Sequence, residues 1–382
     1  LVGGMAADLM AAQDGADRAY GLGGADVMLG QRGPDTLVGN TGADMLAGGA
    51  GDDRLHGNLD DDRLAGGPGD DTGHGGFGAD SLFGGPGADR LDGQEGGDLL
   101  RGGDGGDLLR GGPGEDALHG DAGPDTLHGG EGDDTATGGA GDDRIHGGAG
   151  DDRLSGSGGD DLLFGSFGAD VLLGEAGADT LVGNADGDLL VGGAGADALH
   201  AGTGADTVNG QAGDDVIHGG AGADALHGAG GADILRAGHG ADRVQAGAGA
   251  DRIRAGDGDD AAMGGDGDDR LNGDGGDDRL HGNRGADTIG GGAGDDVVAG
   301  GLGDDVLFGG AGADVFVHAF GADAYEIRDF DAGLDQVDLT AMDLSRFGLE
   351  AADIAARATM SGRDAVLEIG RVTITFDRLD AA

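Results

Sequence analysis

The nonapeptide Gly48-Gly49-Ala50-Gly51-Asp52-Asp53-Arg54-Leu55-His56 recurs, with substitutions, along most of this chain. Gly66-Gly67-Pro68-Gly69-Asp70-Asp71 repeats it in register, and an aspartate falls at every ninth position from Asp8 to Asp323, 36 in all. The unit is written G-G-x-G-x-D-x-U-x, where U is aliphatic, and its positions are numbered first to ninth. A fixed period of this kind predicts one solenoid rather than the two or three globular domains that 382 residues would otherwise suggest.

Composition follows from the unit. Glycine supplies 96 of 382 residues, a share that reads as disorder without a period and as a turn every nine residues with one. The expected unit has six turn residues, the first to the sixth, and three strand residues. Pro34, Pro68, Pro86, Pro113 and Pro124 all fall in the turn part, where a missing backbone donor is tolerated. In a three-residue strand the middle side chain points opposite to its neighbours. That eighth position carries Leu37, Leu46, Leu55, Leu64, Leu82 and Leu91, which are therefore expected to form the core.

The pattern resembles the RTX, or haemolysin-type calcium-binding, nonapeptide repeat, over roughly residues 3 to 326. The resemblance implies an all-β, right-handed parallel β-roll, a β-helix solenoid of 18-residue coils, in which alternate units feed two sheets. It also implies that calcium ions sit between neighbouring turns, held by sixth-position aspartates and glycine-loop carbonyls. The residues so assigned are Asp26, Asp35, Asp44, Asp53, Asp71, Asp80, Asp89, Asp98, Asp107, Asp116, Asp125, Asp134, Asp143, Asp152, Asp161, Asp170 and Asp179. The set continues with Asp197, Asp206, Asp215, Asp224, Asp233, Asp242, Asp251, Asp260, Asp269, Asp278, Asp287, Asp296, Asp305 and Asp314. Asp60 and Asp186 replace the third motif glycine, so the aspartates of their units are left out, and the first units depart from the motif at Ala6 and Ala12-Gln13. Gly73, Ala136 and Ala262 occupy the aliphatic position and are expected to be soft spots.

Calcium takes six to eight hard oxygen ligands in tolerant geometry, and glycine turns let carbonyls converge beside a carboxylate. Two edges of eighteen coils allow at most 34 ions, and 26 divalent ions cancel the formal charge of −52, so about 26 to 34 are expected. Without them, carboxylates stacked at the spacing of neighbouring strands repel by roughly 1 kcal/mol each in water and about 3.5 kcal/mol at an effective dielectric of 20. One aliphatic per nine residues cannot offset that repulsion and the backbone entropy together. Calcium binding and folding are therefore expected to be one event.

The charge also excludes partners. All 22 basic residues are arginines, and so acidic a chain repels nucleic acid and anionic membrane. With zero cysteines there is no disulfide, no thiolate metal site and no thiol nucleophile. No apolar run is long enough to span a membrane, and the first residues lack the regions of a signal peptide. H-E-x-x-H, G-x-S-x-G and a P-loop with its lysine are missing, so no enzyme is expected in these residues.

Past Ala324 the period ends. Val315-Phe316-Val317, Tyr325 to Asp331 and Gly333 to Leu339 resemble the aromatic closing sequence of RTX proteins, which places a cap over residues 327–382 and the roll at 1–326. A helix is expected over Leu349 to Ala358 and a hairpin over Ala365 to Phe376 turning at Gly370-Arg371. By resemblance the cap carries a type I secretion signal, the partners are calcium and the type I secretion machinery, and the protein is secreted, extracellular or cell-surface associated. The readings open beside a calcium-dependent folding and secretion module are a surface-layer, adhesin or polysaccharide-binding rod, and the non-catalytic tail of a secreted hydrolase or epimerase. Nine of eleven histidines stand at the ninth position, among them the pairs His56 and His74, His128 and His146, and His200 and His218. Each pair is 18 residues apart and is expected to stack on neighbouring strands, as a strand-end surface feature or as a zinc, nickel or pH-responsive pair.

Overall fold

Strands of six residues succeed one another at nine-residue steps, each running from the seventh position of one unit to the third of the next, as in Arg54–Leu59 and Thr72–Phe77. The computed structural model describes residues 1–318, 324–331, 333–338, 359–361, 364–369 and 372–376. Among them no helix occurs. The helix expected over Leu349 to Ala358 lies outside the described residues, as does Asp323.

The chain divides into two units, Leu1–Ala194 and Gly195–Ala382, built alike. In each, a strand pairs in parallel with the strand 18 residues on, so that alternate strands belong to alternate sheets. In the first unit Leu37 lies opposite Leu55 in one sheet and Leu46 opposite Leu64 in the other. In the second, Leu199 lies opposite Ile217 and Val208 opposite Leu226. The fold is the all-β parallel roll of 18-residue coils that the repeat implies.

Burial alternates along each strand, with the eighth and the next first position inward, as at Leu127 and Gly129 in Thr126–Glu131. The eighth-position aliphatics are the core, with Leu37, Leu82, Leu109 and Ile217 fully buried. Gly73 shows how the two sheets share it. A β-carbon there would meet Leu91 of its own sheet at 3.1 Å and Leu82 and Leu64 of the opposite sheet at 3.5 and 3.9 Å. Ala136 and Ala262 are likewise buried within regular six-residue strands.

The expected three-residue strand is thus corrected to six. Pairing continues into the second and third positions, as at Asn40 opposite Asn58 and Thr41 opposite Leu59. The chain bends there because the second residue is left-handed, at φ 113° for Gly49 and 81° for Asn40, without leaving the ladder. Pro86 and Pro113 accordingly end strands instead of lying in turns. Their carbonyls accept from the amides of Gly69 and Gly96 at 2.9 and 3.0 Å, while Pro34, Pro68 and Pro124 lie outside the strands.

At the C-terminal end, Val315–Val317 pairs with Gln336–Asp338, and Ala324–Ile327 pairs with both the last repeat strand and Val372–Phe376. The two strands of the expected hairpin are present, Asp364–Ile369 antiparallel to Val372–Phe376 with Ile369 opposite Val372; Gly370 and Arg371 lie outside the described residues. Phe330 packs against Phe316 and Phe376, with ring centroids 6.0 and 5.1 Å apart.

Candidate metal centre

The strand ladder delivers one aspartate per unit to the end of each three-residue turn. The residues assigned from the sequence all lie in buried rows, each at most 3% exposed. Asp53 and Asp71 show the arrangement. The amide of Asp53 donates to Oδ1 of Asp71 at 2.7 Å, and the amide of Asp71 donates to Oδ1 of Asp89 at 2.7 Å. The carbonyl of Asp53 accepts from the amide of Thr72 at 2.9 Å. Backbone and Oδ1 are therefore used in holding one coil to the next.

The second carboxylate oxygen is not. Oδ2 of Asp26, Asp53, Asp71, Asp134, Asp215 and Asp287 is buried without a hydrogen-bond partner. It lies against the first glycine of its own unit. A β-carbon on Gly57 would come within 2.2 Å of Oδ2 of Asp62 and 2.7 Å of the carbonyl oxygen of Gly75, one coil on. At Gly57 a β-carbon would crowd both a carboxylate oxygen and a backbone carbonyl oxygen, which lie close to one another there, whereas Ala201, Ala237, Ala246 and Ala255 occupy the same position of their own units. A buried carboxylate with no counter-charge is costly.

The cost appears in the carboxyl groups themselves. Asp71 is pushed up to about 7, first by burial, against the lowering effect of the amide of Asp53, with the charges of Asp89, Asp53 and Asp52 adding to the rise. Asp134 in the first unit and Asp215 in the second are also raised to about 7, and Asp44 and Asp224 to about 6, in each case chiefly by burial. The positive charge that would lower them belongs to a cation. Oxygen-only donors, repeated and lacking hydrogen-bond donors on one side, fit calcium. Bound calcium would supply the charge that these carboxylates lack.

The sequence reading missed several residues of the rows. Asp62 and Asp188 are buried like their neighbours, and their Oδ1 atoms accept from Asp44 and Asp170 at 2.8 Å. Asp60 and Asp186, which displaced the motif glycine, hold the left-handed turn themselves at φ 74° and 73°, a conformation that aspartate tolerates. Fifth-position aspartates form a second, exposed series. Oδ1 of Asp133 accepts from the amide of Asp151 at 2.9 Å, and Oδ1 of Asp151 from Ala169 at 2.8 Å, in the direction opposite to the buried rows. At the end of the second unit Asp335 accepts from the amide of Asp314 at 3.1 Å and so takes the next place after Asp314 at a spacing of 21. The signal was there, because Asp335-Gln336-Val337-Asp338 reads as the sixth to ninth positions of a unit. At the other end Asp8 and Asp17 are half-buried, and their Oδ2 atoms accept from Gly4 and Gln13 at 2.6 and 3.3 Å.

A parallel roll with buried rows of acidic oxygens at its turns defines a calcium-binding solenoid. The model of the RTX calcium-binding nonapeptide repeat (four copies) matches fourteen overlapping segments that together run without a gap from residue 2 to residue 324. The chain belongs to the RTX calcium-binding nonapeptide-repeat family, and its repeat roll is a structural, non-catalytic domain. No curated protein matches it. Among solved structures, the extracellular lipase LipA from Serratia marcescens is similar over 63% of this chain at 20% identity and a TM-score of 0.27. The match covers 38% of the lipase chain, well under two thirds of its length.

Proposed function

We propose that this chain is a calcium-dependent folding module of a secreted protein, in which the aspartate rows keep the roll unfolded until calcium fills them. The observation that carries this reading is the buried, unpartnered Oδ2 repeated in turn after turn. The ligands proposed are the sixth-position aspartates named from the sequence, together with Asp62 and Asp188, and the first-position glycine carbonyls beside them. Residues 1–326 would be the calcium roll and residues 327–382 its cap. Charge supports about 26 to 34 ions, since 26 divalent ions offset −52.

Such a module exploits the difference in calcium between compartments. Extracellular calcium modules bind at about 10⁻⁴–10⁻³ M, so comparable sites stay empty in a calcium-poor cytosol and fill outside. The chain would cross a type I secretion channel as a coil and fold on exit, and binding to the folded form alone would oppose its return. The family membership and the raised ladder carboxyls support this reading. Far-UV circular dichroism tests it: coil in chelator and β structure in millimolar calcium are expected, and a β spectrum unchanged by chelator would overturn it.

A further inference from the structure

The seventh- and ninth-position side chains point outward, away from the aspartate rows. His56 and His74, and His128 and His146, stack there as the spacing predicts, with ring centroids 5.0 and 5.5 Å apart, but among the described residues no three metal-ligating side chains come together on these faces. The arginines are arranged differently. Within the repeats only two pairs stand 18 residues apart, Arg236 with Arg254 and Arg252 with Arg270. The ladder sets the members of each pair directly opposite one another, on three successive strands of one sheet in the second unit. All four are exposed, and no carboxylate projects from the seventh or ninth position of those strands. Like charges directly opposite one another destabilise a sheet. An arginine that only offsets the acidity of the chain stands opposite an acid, as Arg284 does opposite Asp266 at 3.1 Å. Among the described residues, Arg254 is the one member of the four with a carboxylate partner, Asp274. Nη1 of Arg236 lies 2.7 Å from Nε2 of His218. Beside the four runs a groove of about 630 Å³, lined by Arg236, Arg254 and His239 and by Gly238, Gly256 and Gly275, which add no side chain to fill it.

We propose that this arginine strip binds a single extended chain of an acidic, carboxylate-bearing polysaccharide. The planar fork of a guanidinium matches a carboxylate. Arg254 shows the contact within the protein itself, where its Nε donates to Oδ2 of Asp274. The strip is two side-chain columns wide, about 6.6 Å, and runs about 9.6 Å across three strands. Its borders are acidic, with Asp257 and Asp274 at one end of the strands and Asp268 in the turn at the other. Asp257 is itself 3.0 Å from Nδ1 of His239. A thin chain lies between these borders, whereas a membrane plane or a duplex meets them and is repelled. Single-stranded nucleic acid is held by aromatic side chains on which its bases stack, and the strip has no Phe, Tyr or Trp. The strip exists only in the folded roll, so the polysaccharide binds after calcium and stabilises what calcium has folded.

The test is a calorimetric titration of the full chain in saturating calcium with short oligogalacturonides, which carry a carboxylate on every sugar. One site per chain is expected, and its affinity falls as salt rises. Arg236→Gln and Arg252→Gln should each weaken binding by about tenfold or more, the worth of one hydrogen bond to a charged group. Arg243→Gln and Arg279→Gln remove the same charge from the opposite sheet and should leave binding unchanged. Asp274→Asn should tighten binding by freeing Arg254, whereas Asp266→Asn, which frees Arg284 on the opposite sheet, should not. That gain keeps the proposal testable even where an arginine variant misfolds, and far-UV dichroism in calcium identifies such a variant. The proposal is overturned if neutral dextran binds as well, if a single-stranded oligodeoxynucleotide binds as tightly, if all four arginine variants weaken binding alike, or if Asp274→Asn binds no more tightly than Asp266→Asn.

Discussion

At the scale of the residue, the two oxygens of one carboxylate do different work. Oδ1 of Asp134 ties its coil to the one before it through the amide of Asp116 at 2.8 Å, while Oδ2 is buried with nothing to accept from. Replacing Asp134 by Asn is therefore expected to raise the calcium midpoint of folding, by the equivalent of about 1–3 kcal/mol for a lost charged interaction at one buried site. Asp133→Asn, on the exposed series, should shift the midpoint far less, and parallel calcium titrations monitored by dichroism compare the two. Glycines divide in the same way. A β-carbon at Gly48 would meet Oδ2 of Asp53 at 2.3 Å, so Gly48→Ala should weaken calcium-dependent folding. Gly73→Ala should do the opposite. Its backbone is not left-handed and its nearest contact, at 3.1 Å, is a leucine methyl that can turn aside. It should gain about 0.5–1 kcal/mol from the lower entropy of the unfolded chain, read as a higher melting temperature in calcium.

At the scale of the element, strand and turn were unequally legible. The inward eighth position followed from the repeat alone, because alternation in a strand fixes which of three side chains faces the core. The strand's extension through Gly57, Asn58 and Leu59 did not, since it depends on pairing with a coil 18 residues away and on a left-handed residue that stays in the ladder. For the same reason Asp62 was passed over when Asp60 broke the motif, and Asp335 when the spacing changed from 18 to 21. The hydrogen bonds of the fifth-position aspartates to the next turn depend on the same 18-residue stacking, which a single unit does not display.

The turns also set a pH dependence. Carboxyls such as Asp71 and Asp98, raised from 3.8 to about 7 by burial, favour the folded, metal-free form only while protonated. That stability is full below about pH 4 and is lost as pH rises through about 7, so the metal-free roll is least stable at neutral pH and above. Between pH 5.5 and 8 the unfolded chain and the calcium-bound roll both keep these carboxylates ionised, so protons add only to the metal-free folded form. Lowering the pH from 8 to 5.5 should therefore lower the calcium concentration needed for folding, and titrations across that range check it. A midpoint that rises on acidification would contradict this assignment of the raised carboxyls.

At the scale of the whole molecule, the charge of −52 and the thin core point the same way. Unit after unit buries an aliphatic side chain beside an uncompensated carboxylate oxygen, as at Leu55 and Asp53, so folding without a cation adds repulsion as fast as it adds core. Calcium links the two, and the roll should gain order along its repeats only as ions bind. Amide hydrogen exchange, read across the chain with and without calcium, measures this most directly. The account predicts that the amides of the buried rows, such as those of Asp53, Asp71 and Asp215, are strongly protected in millimolar calcium and exchange at the rate of an unfolded chain in chelator. Protection of those amides that persists in chelator at neutral pH would contradict it.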